Sequence, residues 1–328
     1  MKIKVSELND LMVAVLSSKY YSKEEAQKIV EVFMYAELTG KNTQGVLKLL
    51  GTEPAQNIKP EYKAKIFKQT KVSALIDGGR SAGPLSAQFA TDTAVSIAKE
   101  NGFAVVSMNN TVTSIGAIGY YARKMAENNL IGIIMANCPR SVAPMNGLEL
   151  VYGTNPIAFG FPTNEYPIVF DMATSAITWY GLVRAKALGQ KIPDNVAIDK
   201  EGNITTDPGE AMGGAILPFD RSYKGFNLGM VVELFAGALS GASFVFDKGD
   251  ETDDWGTTII AFSPDLLIGT EQFKKNSSLL VKKVKSKKTK NGEIIHIPGY
   301  DTEMKMKEIL KEGEIEVDDT ILNQLKNI

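Results

Sequence analysis

Residues 226–246, FNLGMVVELFAGALSGASFVF, carry one charge, Glu233, in a run nearly long enough to cross a bilayer. Such a run has two destinations, a membrane or the interior of a folded domain. Glu233 sits mid-run, where an ionised carboxylate in hydrocarbon costs about 3 kcal/mol, and no second run of this kind exists in the chain. The segment is therefore expected to be a buried helix rich in small residues. Gly237 and Gly241, at G-x-x-x-G spacing, let a neighbouring helix approach closely. The 328 residues suffice for two or three domains with a sizeable core. That core has no covalent or zinc staple, because Cys138 and His296 are the only cysteine and the only histidine. A lone cysteine suits a reducing compartment. The N-terminal MKIKVSELND reaches charge too soon for a secretory signal, so a cytoplasmic protein is expected. A formal net charge of −2 leaves no global field to recruit nucleic acid or an anionic membrane.

Apolar spacing divides the rest into helices and short strands. Leu8, Leu11, Met12, Val15 and Leu16 form one helical stripe, and Ile29, Val30, Phe33 and Met34 form the next. Ser22 followed by Glu25 is a capping box, and Gly40 is a stop signal. Strand-like runs occur at 72–76, 103–108, 131–136, 166–171 and 257–262. Helices are expected over 84–101, 115–129, 173–188, 302–312 and 318–327, and turns at 77–83, 199–202 and 206–209. No repeat of 20–50 residues is visible, which excludes solenoids and propellers. The lysine run from Lys282 to Lys290 lacks interleaved aromatics for base stacking and reads as a solvated loop or edge strand.

Absent motifs narrow the chemistry. No G-x-G-x-x-G follows a strand, and no G-x-x-x-x-G-K-[ST] occurs, so neither a conventional Rossmann site nor a P-loop is expected. One histidine cannot build H-E-x-x-H, and a catalytic triad would have to use His296, which lies in a strand-to-turn setting that suits a structural or ligand-contact role. No metal site is expected. Generic signals stop at a water-soluble α+β protein.

Longer patterns reach further. Gly153-Thr154-Asn155-Pro156, Phe170-Asp171-Met172-Ala173-Thr174-Ser175, Thr206-Asp207-Pro208, Lys224-Gly225, Leu239-Ser240-Gly241 and Pro298-Gly299 occur in order, with an Asp-Gly-Gly turn at 77–79. In these segments, and collinearly from about residue 5 to 325, the chain resembles the malate/L-lactate dehydrogenase-like, non-Rossmann NAD(P)-dependent oxidoreductases, which include ureidoglycolate, sulfolactate and cyclic-imine enzymes. The resemblance implies an α+β fold of the sulfolactate dehydrogenase-like type, with a mostly antiparallel nucleotide-domain sheet and helical termini packed together. It implies an N-terminal helical part at 1–55 packed with 300–328, a central substrate domain at 56–125, an NAD(P)-binding domain at 126–290 and a return segment at 291–328. It also implies a homodimer acting on a small molecule, with NAD or NADP as cofactor.

The resemblance breaks where the chemistry should sit. Similar reductases carry a segment of the type Ser-His-Gly-x-x-Arg, whose histidine protonates substrate and whose arginine clamps a carboxylate. The matching segment here is Asn42-Thr43-Gln44-Gly45-Val46-Leu47-Lys48, with Gln44 for the acid and Lys48 for the clamp. A second family histidine falls on Ser114, and a relay residue falls near Gly181. Hydride delivery to a ketone builds charge on oxygen and needs a proton donor or a fixed cation. Glutamine donates a hydrogen bond but no proton at neutral pH. Lys48 would neutralise a carboxylate as a point charge, or act as the acid if burial lowered its pKa from about 10.4. Tyr120, Tyr121 and Tyr180 are weaker candidate donors. Carried over by position, substrate contacts fall on Thr43, Lys48 and Thr154. Cofactor contacts fall on Ser114, Ile115, Gly116, Ala117 and Ile118, on Asp171, Met172 and Ala173, on Lys224 and Gly225, and on His296 and Gly299. Three readings follow: a reductase of 2-oxo acids acting through Lys48 or an ordered water, a cyclic-imine reductase whose substrate already carries the positive charge, or a cofactor-binding pseudoenzyme.

Overall fold

The computed structural model describes residues 1–220, 222–245 and 254–328; Phe246, the last residue of the apolar run, lies outside the described residues. The chain begins with β1 (Lys2–Lys4), α1 (Val5–Ser17) and α2 (Lys23–Leu38). The Ser22 hydroxyl accepts from the Glu25 amide and the Glu25 carboxylate accepts from the Ser22 amide, so the capping box forms as read. Next come β2 (Lys65–Gln69), β3 (Ser73–Asp77), α3 (Gly83–Asn101), β4 (Phe103–Thr111), α4 (Gly119–Glu127), β5 (Ile131–Ala136), β6 (Ile157–Phe161) and β7 (Ile168–Met172). They are followed by α5 (Trp179–Ala187), β8 (Ala197–Ile198), α6 (Pro208–Gly213), β9 (Ala215–Ile216) and α7 (Tyr223–Glu233). The described chain closes with β10 (Trp255–Phe262), α8 (Thr270–Lys285), α9 (Tyr300–Glu312), β11 (Glu314–Glu316) and α10 (Asp319–Lys326).

One seven-stranded sheet, in the order β2-β3-β4-β10-β5-β6-β7, organises the protein. Only the β3–β4 pair is parallel; the others are antiparallel. β10 is the keystone, with Ile259 opposite Val106 of β4 on one side and Ile134 of β5 on the other. The sheet therefore joins strands from both sides of position 125. α3 and α4 cover one face, burying Ala90, Ala94, Tyr121 and Met125 against Val106, Ile134 and Ile259. α7 and the π-helical turn Leu234–Ala238 cover the other, with Val232 and Ala236 against Met135 and Ile157. The termini form a separate helical body: β1 pairs β11, and Leu8, Met12, Phe33, Ile321 and Leu325 share one core.

Several elements differ from the sequence reading, each for a local reason. The helix expected from 115 starts at Gly119, because Gly116 takes a φ of +81° and leaves 115–118 as a loop. The helix expected from 173 starts at Trp179, where the Thr178 hydroxyl accepts from the Gly181 amide. The apolar run is an α-helix only to Glu233 before its π turn. Part of the lysine run forms the last turn of α8, neither loop nor strand, where cations meet the negative end of the helix dipole. No helix among the described residues is long and apolar enough to cross a membrane.

Candidate active-site cleft

A cleft of about 440 Å³ opens where the ends of β5, β7 and β10 face the helical body. Its walls come from 41–53, the loop 114–118, the segment 136–141 after β5, the end of β7, the start of α5 and Trp255–Thr257. The segment 42–49 winds as two 3₁₀ turns, held by Glu37 at the end of α2. The buried Glu37 carboxylate accepts from the Val46 amide at 2.7 Å and the Asn42 side-chain amide at 2.6 Å. Burial raises its pKa while those bonds oppose the rise. Gly45 is required there, since a Cβ would overlap that carboxylate.

The turns deliver Thr43, Gln44 and Lys48 to the cleft. Gln44 Oε1 accepts from Ser114 Oγ at 3.4 Å, a long bond, and Ser114 Oγ accepts from the Gly116 amide at 3.1 Å. Lys48 is 4% exposed, and its Nζ lies 3.2 Å from the centroid of the Tyr180 ring. Desolvation pulls the Lys48 pKa down to about 7, against the opposing fields of Glu53 and Cys138. Burial pushes the Glu53 carboxyl up, and the Tyr180 hydroxyl up to about 12. On the opposite wall, Asp171 Oδ2 pairs with Lys41 Nζ at 2.5 Å and accepts from the Gly119 amide at 2.9 Å, at the positive end of α4.

Most of the residues singled out from sequence meet here: Thr43, Gln44, Lys48, Ser114 to Ile118, Thr154 and Asp171 to Ala173 all line the cleft. Lys224, Gly225, His296 and Gly299 do not. Lys224 and Gly225 form the first turn of α7, where the Gly225 amide donates to Asp220. His296 is 82% exposed at its side chain, with Nδ1 2.9 Å from Asp301 Oδ2, and Gly299 packs against Val169. Asn155 is structural: at a φ of +34° it donates to Gly229 O and to Glu233 Oε2, which explains the mid-run carboxylate. Asn137 Nδ2 and the Val245 amide also donate to Glu233. Sequence reading missed Lys41, Glu53, Arg140, Trp179 and Trp255 on the cleft wall. Lys41 and Glu53 flank the 42–48 segment, and a wider window there would have included them. Trp255 is brought in only by the long-range pairing of β10.

Three cations, Lys41, Lys48 and Arg140, and two carboxylates, Glu53 and Asp171, line the cleft together with uncharged polar groups such as Thr43, Gln44, Ser114 and Thr154 and with tryptophan, tyrosine and aliphatic walls. Such a cleft suits a small anion beside a flat ring. Comparisons with known proteins agree. The family model described as malate/L-lactate dehydrogenase matches residues 3–326. The malate/(S)-sulfolactate dehydrogenase of Methanothermus fervidus is 35% identical over 341 residues, covering 100% of this chain and 97% of that protein. The L-sulfolactate dehydrogenase of Methanocaldococcus jannaschii is 33% identical over 336 residues, covering 100% and 96%. A solved structure of sulfolactate dehydrogenase from the latter organism superposes with a TM-score of 0.87 at 32% identity, over 100% of this chain and 96% of that one.

Proposed function

The chain belongs to the malate/L-lactate dehydrogenase family, and from that premise we propose that it is an oxidoreductase moving hydride between a nicotinamide cofactor, NAD or NADP, and a small 2-hydroxy or 2-oxo acid. The observation that carries this reading is the Lys48 ammonium, buried beside an aromatic ring in a cleft that also offers flat apolar walls. The residues present fit a nicotinamide: Trp179, Trp255, Ile115, Ile118 and Met172 offer apolar faces, while Ser114 and the Lys41–Asp171 pair offer polar contacts at the rim. When bound, the cofactor supplies or accepts the hydride. Everything else falls to the chain. Lys48, with a pKa about 7, hands a proton to the substrate oxygen during reduction and takes it back during oxidation. Gln44 donates a hydrogen bond to the same oxygen, and Thr43, Thr154 and Arg140 orient the carboxylate. An amine half-protonated near neutral pH replaces the missing histidine as a reversible acid, which ordinary lysine at about 10.4 would not.

The two tryptophans of the chain, Trp179 and Trp255, both line the cleft, so their fluorescence reports occupancy. Titration with NADH and NADPH is expected to quench it with at least one of them; no binding of either overturns the reading. Turnover of 2-oxo acids supports it further, activity confined to cyclic imines favours the imine reading, and cofactor binding without turnover of either class favours the pseudoenzyme. In the same proposal the protein is a cytoplasmic homodimer. Met230, Val231, Leu234, Phe235, Leu239 and Phe244 are all exposed on α7 and the turns after it, an apolar face that a second copy would cover. Sedimentation is expected to show a dimer that Leu234→Glu with Leu239→Glu dissociates; a monomer before mutation contradicts it.

A further inference from the structure

We infer that Tyr180 is the positioning residue for Lys48: the face of its ring, and not its hydroxyl, holds the ammonium in the cleft and keeps it available as an acid. The inference rests on the role given to Lys48 above. Lys48 comes from the second 3₁₀ turn, Val46–Leu49, and Tyr180 from the first turn of α5, whose start is set by the Thr178 hydroxyl accepting from the Gly181 amide at 3.0 Å. Gly51 lets the ring close on this loop, since a Cβ there would lie 2.5 Å from Tyr180 Cε1 and 2.9 Å from its hydroxyl. Lys48 Nζ then sits 3.2 Å from the ring centroid, with 4% of the lysine and 3% of the tyrosine exposed. Of the cation–π contacts among the described residues this is the shortest, and the others, at 3.5 to 4.3 Å, use solvent-exposed lysines. Such a contact strengthens when water is excluded from both partners. No hydrogen bond or ion pair reaches Lys48 Nζ from any described residue, so the ring face is what meets it.

Ring and hydroxyl have separable parts here. The Tyr180 hydroxyl is buried with no hydrogen-bond partner among the described residues, and burial pushes its pKa up to about 12, so it stays a neutral phenol near pH 7. It lends Lys48 no negative charge, and the attraction comes from the quadrupole of the ring face. The other charged or titratable groups on these walls are Glu53 beyond the same turn, Cys138 and Arg140 after β5, and the Lys41–Asp171 pair opposite. Lys41 and Asp171 face each other, and burial raises the Cys138 thiol, which keeps it uncharged. The ring itself acts on Lys48 in two opposed ways: burial favours the neutral amine, whereas the ring face favours the ammonium. Any apolar group of the same size would supply the first, but only a π face supplies the second. Changing the electrons of the ring without its shape therefore separates them.

Fluorination does this, because it draws electron density from the ring face with little change in size. Phenylalanine and its mono-, di- and trifluorinated forms are placed at position 180 of the full-length protein. Competitive acetylation of Lys48 across pH 5–11, read by mass spectrometry without cofactor, then gives its titration midpoint in each. We expect a midpoint near 7 in the wild type, nearly the same midpoint in Tyr180→Phe, and a stepwise fall along the fluorinated series of about 1 pH unit in total. The pH midpoint of turnover should fall in parallel, which loss of a merely structural contact would not cause. A Lys48 midpoint unchanged along the series overturns the inference, and so does a shift already complete in Tyr180→Phe, which would assign the effect to the hydroxyl. Either result leaves the functional reading standing if Lys48→Met abolishes turnover. Normal turnover in Lys48→Met instead removes the functional role on which the inference rests.

Discussion

Replacing Lys48 with methionine should stabilise the protein while abolishing its turnover. Lys48 is 4% exposed, and burial lowers its pKa from 10.5 to about 7. A basic group whose pKa is depressed in the folded state binds protons more readily when unfolded, so it opposes folding at acidic and neutral pH. The difference is about 3.5 units, or about 5 kcal/mol at 1.36 kcal/mol per unit. The whole penalty is present below about pH 6, shrinks as pH rises through 7, and is gone above about 10.5, where both states hold a neutral amine. Methionine has a similar length and no charge, so it fills the same space beneath Tyr180 without this cost. Urea unfolding of both proteins at fixed protomer concentration, at pH 6, 7, 8 and 9, should show the variant ahead by several kcal/mol at pH 6, with the gap narrowing toward pH 9. A variant less stable than wild type at pH 6, or a gap independent of pH, would refute the claim that a buried ammonium is held here at the expense of stability.

Other perturbations follow from the same geometry. Asn155→Ala removes a donor from the buried Glu233 carboxylate and loses a side chain suited to positive φ; unfolding free energy should fall by about 3 kcal/mol. Gly116→Ala meets both a φ of +81° and a Val32 Cγ1 2.7 Å from the new Cβ; a loss of about 2 kcal/mol is expected, together with weaker tryptophan quenching by the nucleotide, measured side by side. Asp171→Asn removes the negative charge that faces the Lys41 ammonium at 2.5 Å while leaving the backbone carbonyl of residue 171 to accept from it, and should cost about 1–3 kcal/mol and raise the nucleotide Kd more than the KM of the acid substrate.

What was legible in the sequence was what is encoded within a few residues. The Ser22–Glu25 box, the apolar strand Ile131–Ala136 and the termination of α3 at Gly102 depend on neighbours in the chain. The 42–48 segment was legible only through its resemblance to the family's Ser-His-Gly-x-x-Arg pattern, and three of its seven residues, Thr43, Gln44 and Lys48, line the cleft. The place of β10 between β4 and β5 was not, because its partners lie more than a hundred residues away and its own β-branched run names neither. Trp255 escaped for the same reason: the long-range pairing of β10 with β4 brings it to the cleft wall. α8 was missed because its lysine-rich last turns leave too little apolar signal, with Ser277 and Val281 as its buried residues.

The central claim is that Lys48 carries the proton in a nicotinamide-dependent reaction, and the pH dependence of turnover in both directions tests it most directly. With NADH or NADPH and a panel of 2-oxo acids, kcat for reduction should fall as pH rises through about 7, while kcat for oxidation of the matching 2-hydroxy acid should rise through the same midpoint, and both should vanish in Lys48→Met. Turnover that keeps its rate in Lys48→Met, or profiles with no break near neutral pH, would contradict the account.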